Sequence, residues 1–500
     1  MNIKNYRWLV RKEYLLLYLI ILIGSFLRLW GTYTNSFAFT YDVGRDMLAL
    51  SNIVHLHKIP LIGATTGLPG IFYGPWWYYL LTPFFLIFSG NPQGIALTMG
   101  LIGVLTIIFG FILGRKLGGN FLGLTLAALI SVSGNLISLS AQIWNPNIAP
   151  LFIIFILLVL FKIYKKEKGD KSKYYFLLGL LLAFNIDLEI VFGLLLSIGI
   201  IISVAIVKKR LITLKNIIFF VFGGLIIFSP RILFELRHQF LMTKSFIGFF
   251  SGGGSSSISK TPEILLNRAS ILFAQFNSTL ALDNRLLGFV IFIFIVLCLI
   301  FLYKKANKDI RNFVTTSLIV VIIFLMGTIF FSHDIWPHYL VGLPVFYILL
   351  FGISIYLLRI LTSIYLSILM VLAVFIINLN PITVYNSVTK PLWTGDASVY
   401  RNQLAVIDYV YNEANGKNFK YVVYTPPVYD YTYRYLFMWY GPKKYHYSPS
   451  VQSNLAYFIL EPDYQNPQRL TDWLKQRAED GKIINSERLA SGIIVQTRTH

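Results

Sequence analysis

The chain is poor in cysteine and in charge. One cysteine, Cys298, sits inside an apolar run, so no intrachain disulfide framework and no cysteine-rich metal site can form. Charged residues make up 13% of the 500 positions, about half the share of a soluble globular chain. Acids are scarcer than bases, 22 against 43, for a formal net charge of +21. No P-loop, GxSxG or kinase signature stands in a strand–turn–helix setting, which argues against nucleotide hydrolysis.

What is abundant is apolar surface: 56% hydrophobic residues and a mean hydropathy of +0.66. Runs of about 20 apolar residues recur along the first 380 positions, the mark of a polytopic α-helical membrane protein. The first run follows Lys4, Arg7, Arg11 and Lys12, has no small-residue cleavage site, and is read as a retained helix. Crossings are expected near 13–33, 94–114, 119–140, 148–164, two sharing 174–207, 216–233, 286–303, 312–331, 339–358 and 361–378. About eleven transmembrane helices result. The 174–207 run divides at "NIDLE", where Asp187 and Glu189 would otherwise sit in hydrocarbon. With the N-terminus cytoplasmic, 21 Lys and Arg fall on the inner side, 9 on the outer side, and 13 in the tail. The positive charge is thus mostly topological and does not imply nucleic acid.

Residues 1–389 form the transmembrane domain, with long outer loops at 34–93 and 234–285. The first loop carries "FYGPWWYYLLTPFFLIFSG" (72–90), which suits the interface better than a crossing. "SGGGSSSISK" (251–260) reads as a mobile loop. Residues 390–500 alternate helical and strand patterns and form a small α/β domain, placed outside the cell by the odd number of crossings.

"FTYDVGRDMLAL" (39–50) puts two acids and a base just past the first membrane helix. If 41–57 is helical, Asp42, Arg45 and Asp46 share a face, and Val43, Met47, Leu50 and Val54 line another, suited to the headgroup layer. Spacing alone fits an ordinary surface ion pair. Position outside the bilayer fits a site where a lipid-borne anion meets a polar acceptor. "SPRILFELRHQF" supplies Arg231, Arg237 and His238, phosphate ligands or interfacial anchors. "QIWNPN" supplies Trp144, Asn145 and Asn147, sugar contacts or a helix cap, and Asp187 and Glu189 are either site acids or wet loop residues. "SHDIWPHY" offers His333, Asp334 and His338, without a recognised metal-ligand spacing. The tail's "YVVYTPPVYDYTYRYLFMWYG" reads as a packing domain over the membrane site or as a glycan-binding surface.

The set "YDVGRD … IPLIGATTG … FYGPWWYYLL … WNPN … FELRH" resembles the integral-membrane glycosyltransferases of the GT-C fold, nearest the protein O-mannosyltransferase and aminoarabinose transferase superfamily. The resemblance covers roughly 13–380. It implies a polyprenyl-phosphate sugar donor, transfer at the outer face to a protein, lipid or glycan acceptor, and anomeric inversion. It implies that Asp42 is the general base, and it makes Arg45, Arg231, Arg237 and His238 candidates for the donor phosphate. Asp46, Tyr73, Trp144, Asn145, Asn147, Asp187, Glu189 and His338 are candidates for donor or acceptor contacts. The family often carries its acidic pair in adjacent positions, whereas Asp46 follows Asp42 by four. The chemistry requires no metal and leaves a divalent metal open. The rival functions are a transporter or flippase of lipid-linked sugars, which needs broken helices and midplane charges, and a non-catalytic envelope anchor.

Overall fold

A computed structural model describes residues 12–165, 169–208, 212–251, 262–329, 334–380, 384–386, 395–426 and 429–499. The first fifteen α-helices, α1 to α15 in chain order, are Lys12–Tyr33, Tyr41–Leu56, Trp76–Ile87, Pro92–Val132, Gly134–Ser140, Ala149–Tyr164, Ser172–Leu188, Ile190–Lys208, Leu214–Arg237, Leu241–Ser251, Pro262–Leu280, Arg285–Leu302, Lys308–Ile329, Leu343–Leu361 and Ile364–Asn378. Among the described residues eight helices are long and apolar enough to cross a membrane, and α3 and α15 are shorter apolar helices. The 41-residue α4 is two antiparallel passes joined at Gly118 and Gly119, where Gly119 takes φ 76. The run 174–207 breaks at Glu189, between α7 and α8. α14 lies at the centre, 94% buried over its apolar window, so the other helices shield it from lipid.

Two expectations change. The segment 234–285 is largely helical, because α10 and α11 form in it. α11 buries Leu272, Phe276 and Leu280 in the membrane-domain core. Polar residues between those anchors keep its hydropathy low, which is why it reads as a loop. The apolar face of α2 does not meet headgroups either. Val43, Met47 and Leu50 are buried against Trp77, Leu81, Tyr433 and Leu436. An amphipathic period demands an apolar neighbour and does not say whether that neighbour is lipid or protein. The stretch 251–260 lies outside the described residues except Ser251, which ends α10.

The tail folds as helix Tyr400–Ala414, β1 Lys420–Tyr424, helix Tyr431–Tyr445, β2 Leu455–Leu460, helix Pro467–Lys475, β3 Lys482–Arg488 and β4 Ile494–Thr499. The sheet order is β1-β2-β4-β3. β1 and β2 are parallel across the Tyr431–Tyr445 helix, and β4 is antiparallel to both β2 and β3. β3 is an exposed edge strand with no buried face, so no alternation announces it.

The tail is stapled to the first outer loop. The Phe39 amide donates to the Ser398 carbonyl at 2.8 Å, and the Tyr400 and Arg401 amides donate to the Phe37 and Asn35 carbonyls, each at 3.0 Å. Tyr435 Oη and Trp439 Nε1 donate to the Gly90 and Ser89 carbonyls at 2.5 and 2.8 Å. Where α2 crosses the Tyr431–Tyr445 helix, a Cβ on Gly44 would stand 2.5 Å from the Thr432 amide nitrogen. Backbone cannot yield as a side chain does. Gly44→Val is therefore expected to weaken the protein by about 1–3 kcal/mol, read as a lower thermal midpoint in detergent. An unchanged midpoint would mean that the two helices separate freely.

Candidate active site

The stretch Tyr73–Tyr78 is the hub that brings the dispersed sequence candidates together. Its downstream end fixes α2. Asp46 is 2% exposed, and its Oδ1 accepts from Arg45 Nε at 3.0 Å, Arg45 Nη2 at 2.8 Å and Tyr78 Oη at 3.1 Å. Its Oδ2 accepts from Trp77 Nε1 at 2.9 Å. A buried carboxylate with four donors is satisfied; Asp46 holds Arg45 and docks α2 on α3. Arg45 keeps one further bond, from Nη1 to Asp42 Oδ1 at 2.6 Å.

The upstream end fixes α7 and α9. The Gly74 amide donates to the Asp187 carbonyl at 3.0 Å, and the Trp76 amide to Asp187 Oδ2 at 3.1 Å. A Cβ on Gly74 would coincide with that carboxylate, so only glycine fits there. Asp187 Oδ1 takes both Nε and Nη2 of Arg231, at 3.0 and 2.6 Å. Asp187 is thus a buried anchor and Arg231 its partner.

Next to it, Glu189 is 2% exposed and caps α8, its Oε2 accepting from the Phe192 amide at 2.5 Å. Burial pushes its carboxyl up to about 7, against the pull of the backbone amides. Tyr73 feels the charge of both Glu189 and Asp42; burial first, and then Glu189, Tyr339 and Asp42, raise its hydroxyl pKa. Asn145 donates its amide to the Leu188 carbonyl, tying "WNPN" to the α7–α8 break. Asn147 donates to the Gln142 carbonyl at 3.2 Å. Trp144 meets His338 edge to face at 4.9 Å. Both asparagines therefore brace backbone, while Trp144 and His338 form a half-buried aromatic pair beside the same break.

Arg237 and His238 stand apart. They are exposed at the end of α9, where His238 stacks on Phe234 at 4.1 Å. The His238 ring bonds to the Phe234 carbonyl rather than to any residue of the Asp42 cluster. His333 lies outside the described residues, and among those described no three His, Cys, Asp or Glu side chains converge as a metal site.

Asp42 itself lines a cavity of about 960 Å³ between the first outer loop and the tail. Its side chain is 27% exposed. Burial raises its carboxyl above the ordinary 3.8, Arg45 pulls it down, and the like charge of Asp46 adds to the rise. Asp42 thus faces the cavity while its Oδ1 holds Arg45. The opposite wall of the cavity comes from the tail, including Gln403, Tyr429, Thr432 and Glu461. These residues were not singled out from sequence. Only the tyrosine-rich composition hinted at them, because the wall exists only once positions some 350 residues apart are joined.

Residues 73–234 match the family model described as dolichyl-phosphate-mannose-protein mannosyltransferase. ArnT from Cupriavidus metallidurans, solved bound to undecaprenyl phosphate, superposes over 98% of both chains with a TM-score of 0.57 at 12% identity. The chain has the GT-C fold. Over residues 73–234 the chain is similar to that mannosyltransferase family, and the match begins at Tyr73, the start of the hub. The apo ArnT structure gives a TM-score of 0.49 at 11% identity over 90% of this GT-C chain and 97% of that one. The oligosaccharyltransferase of Archaeoglobus fulgidus, in complex with Zn and sulfate, gives 0.47 at 14% identity over 87% and 62%. No curated protein matches the chain in sequence.

Proposed function

We propose that this GT-C protein transfers a sugar from a polyprenyl-phosphate donor to an acceptor hydroxyl at the outer face of the membrane. The N-terminus is cytoplasmic in this account and the tail extracytoplasmic, as the basic loops require. One observation carries the proposal: Asp42 lines a roomy cavity and is bonded to a guanidinium that a buried acid holds in place.

The acceptor approaches through the cavity and the donor phosphate from the Arg45 side. The acceptor oxygen attacks the anomeric carbon, the bond from that carbon to phosphate oxygen breaks, and polyprenyl phosphate leaves. The acceptor proton passes to Asp42. Arg45 neutralises the leaving phosphate. Asp46 occupies Nε and Nη2, so the guanidinium cannot swing away, and Nη1, which bridges to Asp42, is the edge the phosphate competes for. Donor binding thereby releases Asp42 from its ion pair and readies it as a base. Arg231 contributes through Asp187 and the hub rather than by direct contact.

A base must be ionised to act. Transfer is expected to fall on acidification, with the limb of the pH–rate profile above 3.8 because burial raises the Asp42 carboxyl. Initial rates of polyprenyl-phosphate release across pH, at saturating donor, check this. A flat profile through the acid range would remove Asp42 as the base. The direct test is Asp42→Asn in purified protein with a polyprenyl-phosphate sugar.

A further inference from the structure

We infer that the tail wall of the cavity is an acceptor subsite for an uncharged glycan, with Gln403 and Glu461 receiving its hydroxyls and Tyr429 stacking on a sugar ring. The inference rests on the transfer reaction proposed above and names its acceptor class.

Three observations carry it. The first is charge. Among the described residues the cavity lining holds three carboxylates, those of Asp42, Asp396 and Glu461, and no lysine or arginine. Glu461 is buried, Asp42 is partly exposed and paired with Arg45, and Asp396 is exposed, so a phosphorylated or otherwise anionic acceptor would meet like charge and no free cation of the lining there.

The second is unspent hydrogen-bonding capacity. Gln403 is 2% exposed, and its amide donates to Glu461 Oε1 at 3.5 Å. Its side-chain oxygen is buried and has no hydrogen-bond partner. Glu461, 7% exposed, also accepts from Tyr433 Oη at 2.9 Å on the same oxygen. This wall is rich in acceptors and calls for a ligand rich in O–H donors.

The third is aromatic surface. Tyr429 is 53% exposed and belongs to a tyrosine stack, with ring centroids 5.8 Å from Tyr41 and 5.5 Å from Tyr431, and Trp144 lines the same cavity. Flat, half-exposed rings beside hydroxyl acceptors suit the C–H faces and O–H edges of a sugar. A volume of about 960 Å³ accommodates several sugar residues.

The test is binding to the full chain in lipid nanodiscs, without donor, by saturation-transfer NMR and calorimetry. The probes are neutral tetrasaccharides of α- and β-linked glucose and mannose, tetragalacturonate, and a Ser/Thr-rich peptide. A neutral tetrasaccharide is expected to bind more tightly than tetragalacturonate or the peptide, and to lose about tenfold in affinity with Tyr429→Ala. Gln403→Ala is expected to weaken it as well. The inference is overturned if tetragalacturonate or the peptide binds best, if no neutral tetrasaccharide binds, or if neither substitution changes affinity. Since no donor is present, tetrasaccharide binding without transfer activity would reject the donor chemistry alone. Transfer to another acceptor without tetrasaccharide binding would reject only the glycan subsite.

Discussion

Asp42→Asn should leave the protein folded and lower sugar transfer by about 10²- to 10⁴-fold, the usual contribution of a positioned general base. The substitution keeps the size of the side chain and an oxygen for the Arg45 Nη1 bond, now at 2.6 Å, but it cannot take the acceptor proton. Asp42 is partly exposed and has no role in docking α2, which falls to Asp46. The loss should therefore appear in kcat, with donor KM little changed and the melting curve intact. Equal loss of activity and of thermal midpoint would place Asp42 among the supports.

Asp187→Ala should have the largest effect on folding, about 3–5 kcal/mol, because it strips the partner from a buried cation. The Arg231 side chain is 12% exposed and the Asp187 side chain 0%. The Trp76 amide loses its acceptor at the same time. Removing both charges is different in kind: Asp187→Leu with Arg231→Met should recover much of the stability, since apolar replacement of a whole buried pair is often neutral. The double variant also isolates Arg231. If it folds and binds donor normally, Arg231 acts only through the hub. A large rise in donor KM in that folded variant would give Arg231 a direct place on the phosphate. Thermal unfolding and donor titration of the single and double variants decide between these.

The membrane helices were legible because hydropathy and basic loops report directly on the bilayer, and the helical face of Asp42, Arg45 and Asp46 was legible from i, i+3, i+4 spacing. The break at Glu189 followed from the cost of placing Asp187 and Glu189 in hydrocarbon. The division of labour inside the charged face was not legible. Asp46 is separated from Trp77 and Tyr78 by 31 and 32 residues, and only folding shows that it spends its oxygens on them. Arg231 looked like a free phosphate ligand because its partner lies 44 positions earlier. The cavity was hidden for the same reason, being built from the loop around 38–43 and from 395–464. β3 was missed because strand pairing with β4, rather than a buried face, holds it.

The central claim is bond formation by a lipid-phosphate-dependent transferase. The most direct measurement uses proteoliposomes loaded with a radiolabelled polyprenyl-phosphate sugar and supplied with an envelope glycan fraction on the tail side. Polyprenyl phosphate and a new glycoside should appear together, and both should be lost with Asp42→Asn. Passage of intact donor from one leaflet to the other, with no polyprenyl phosphate released and no glycoside formed, would contradict the account.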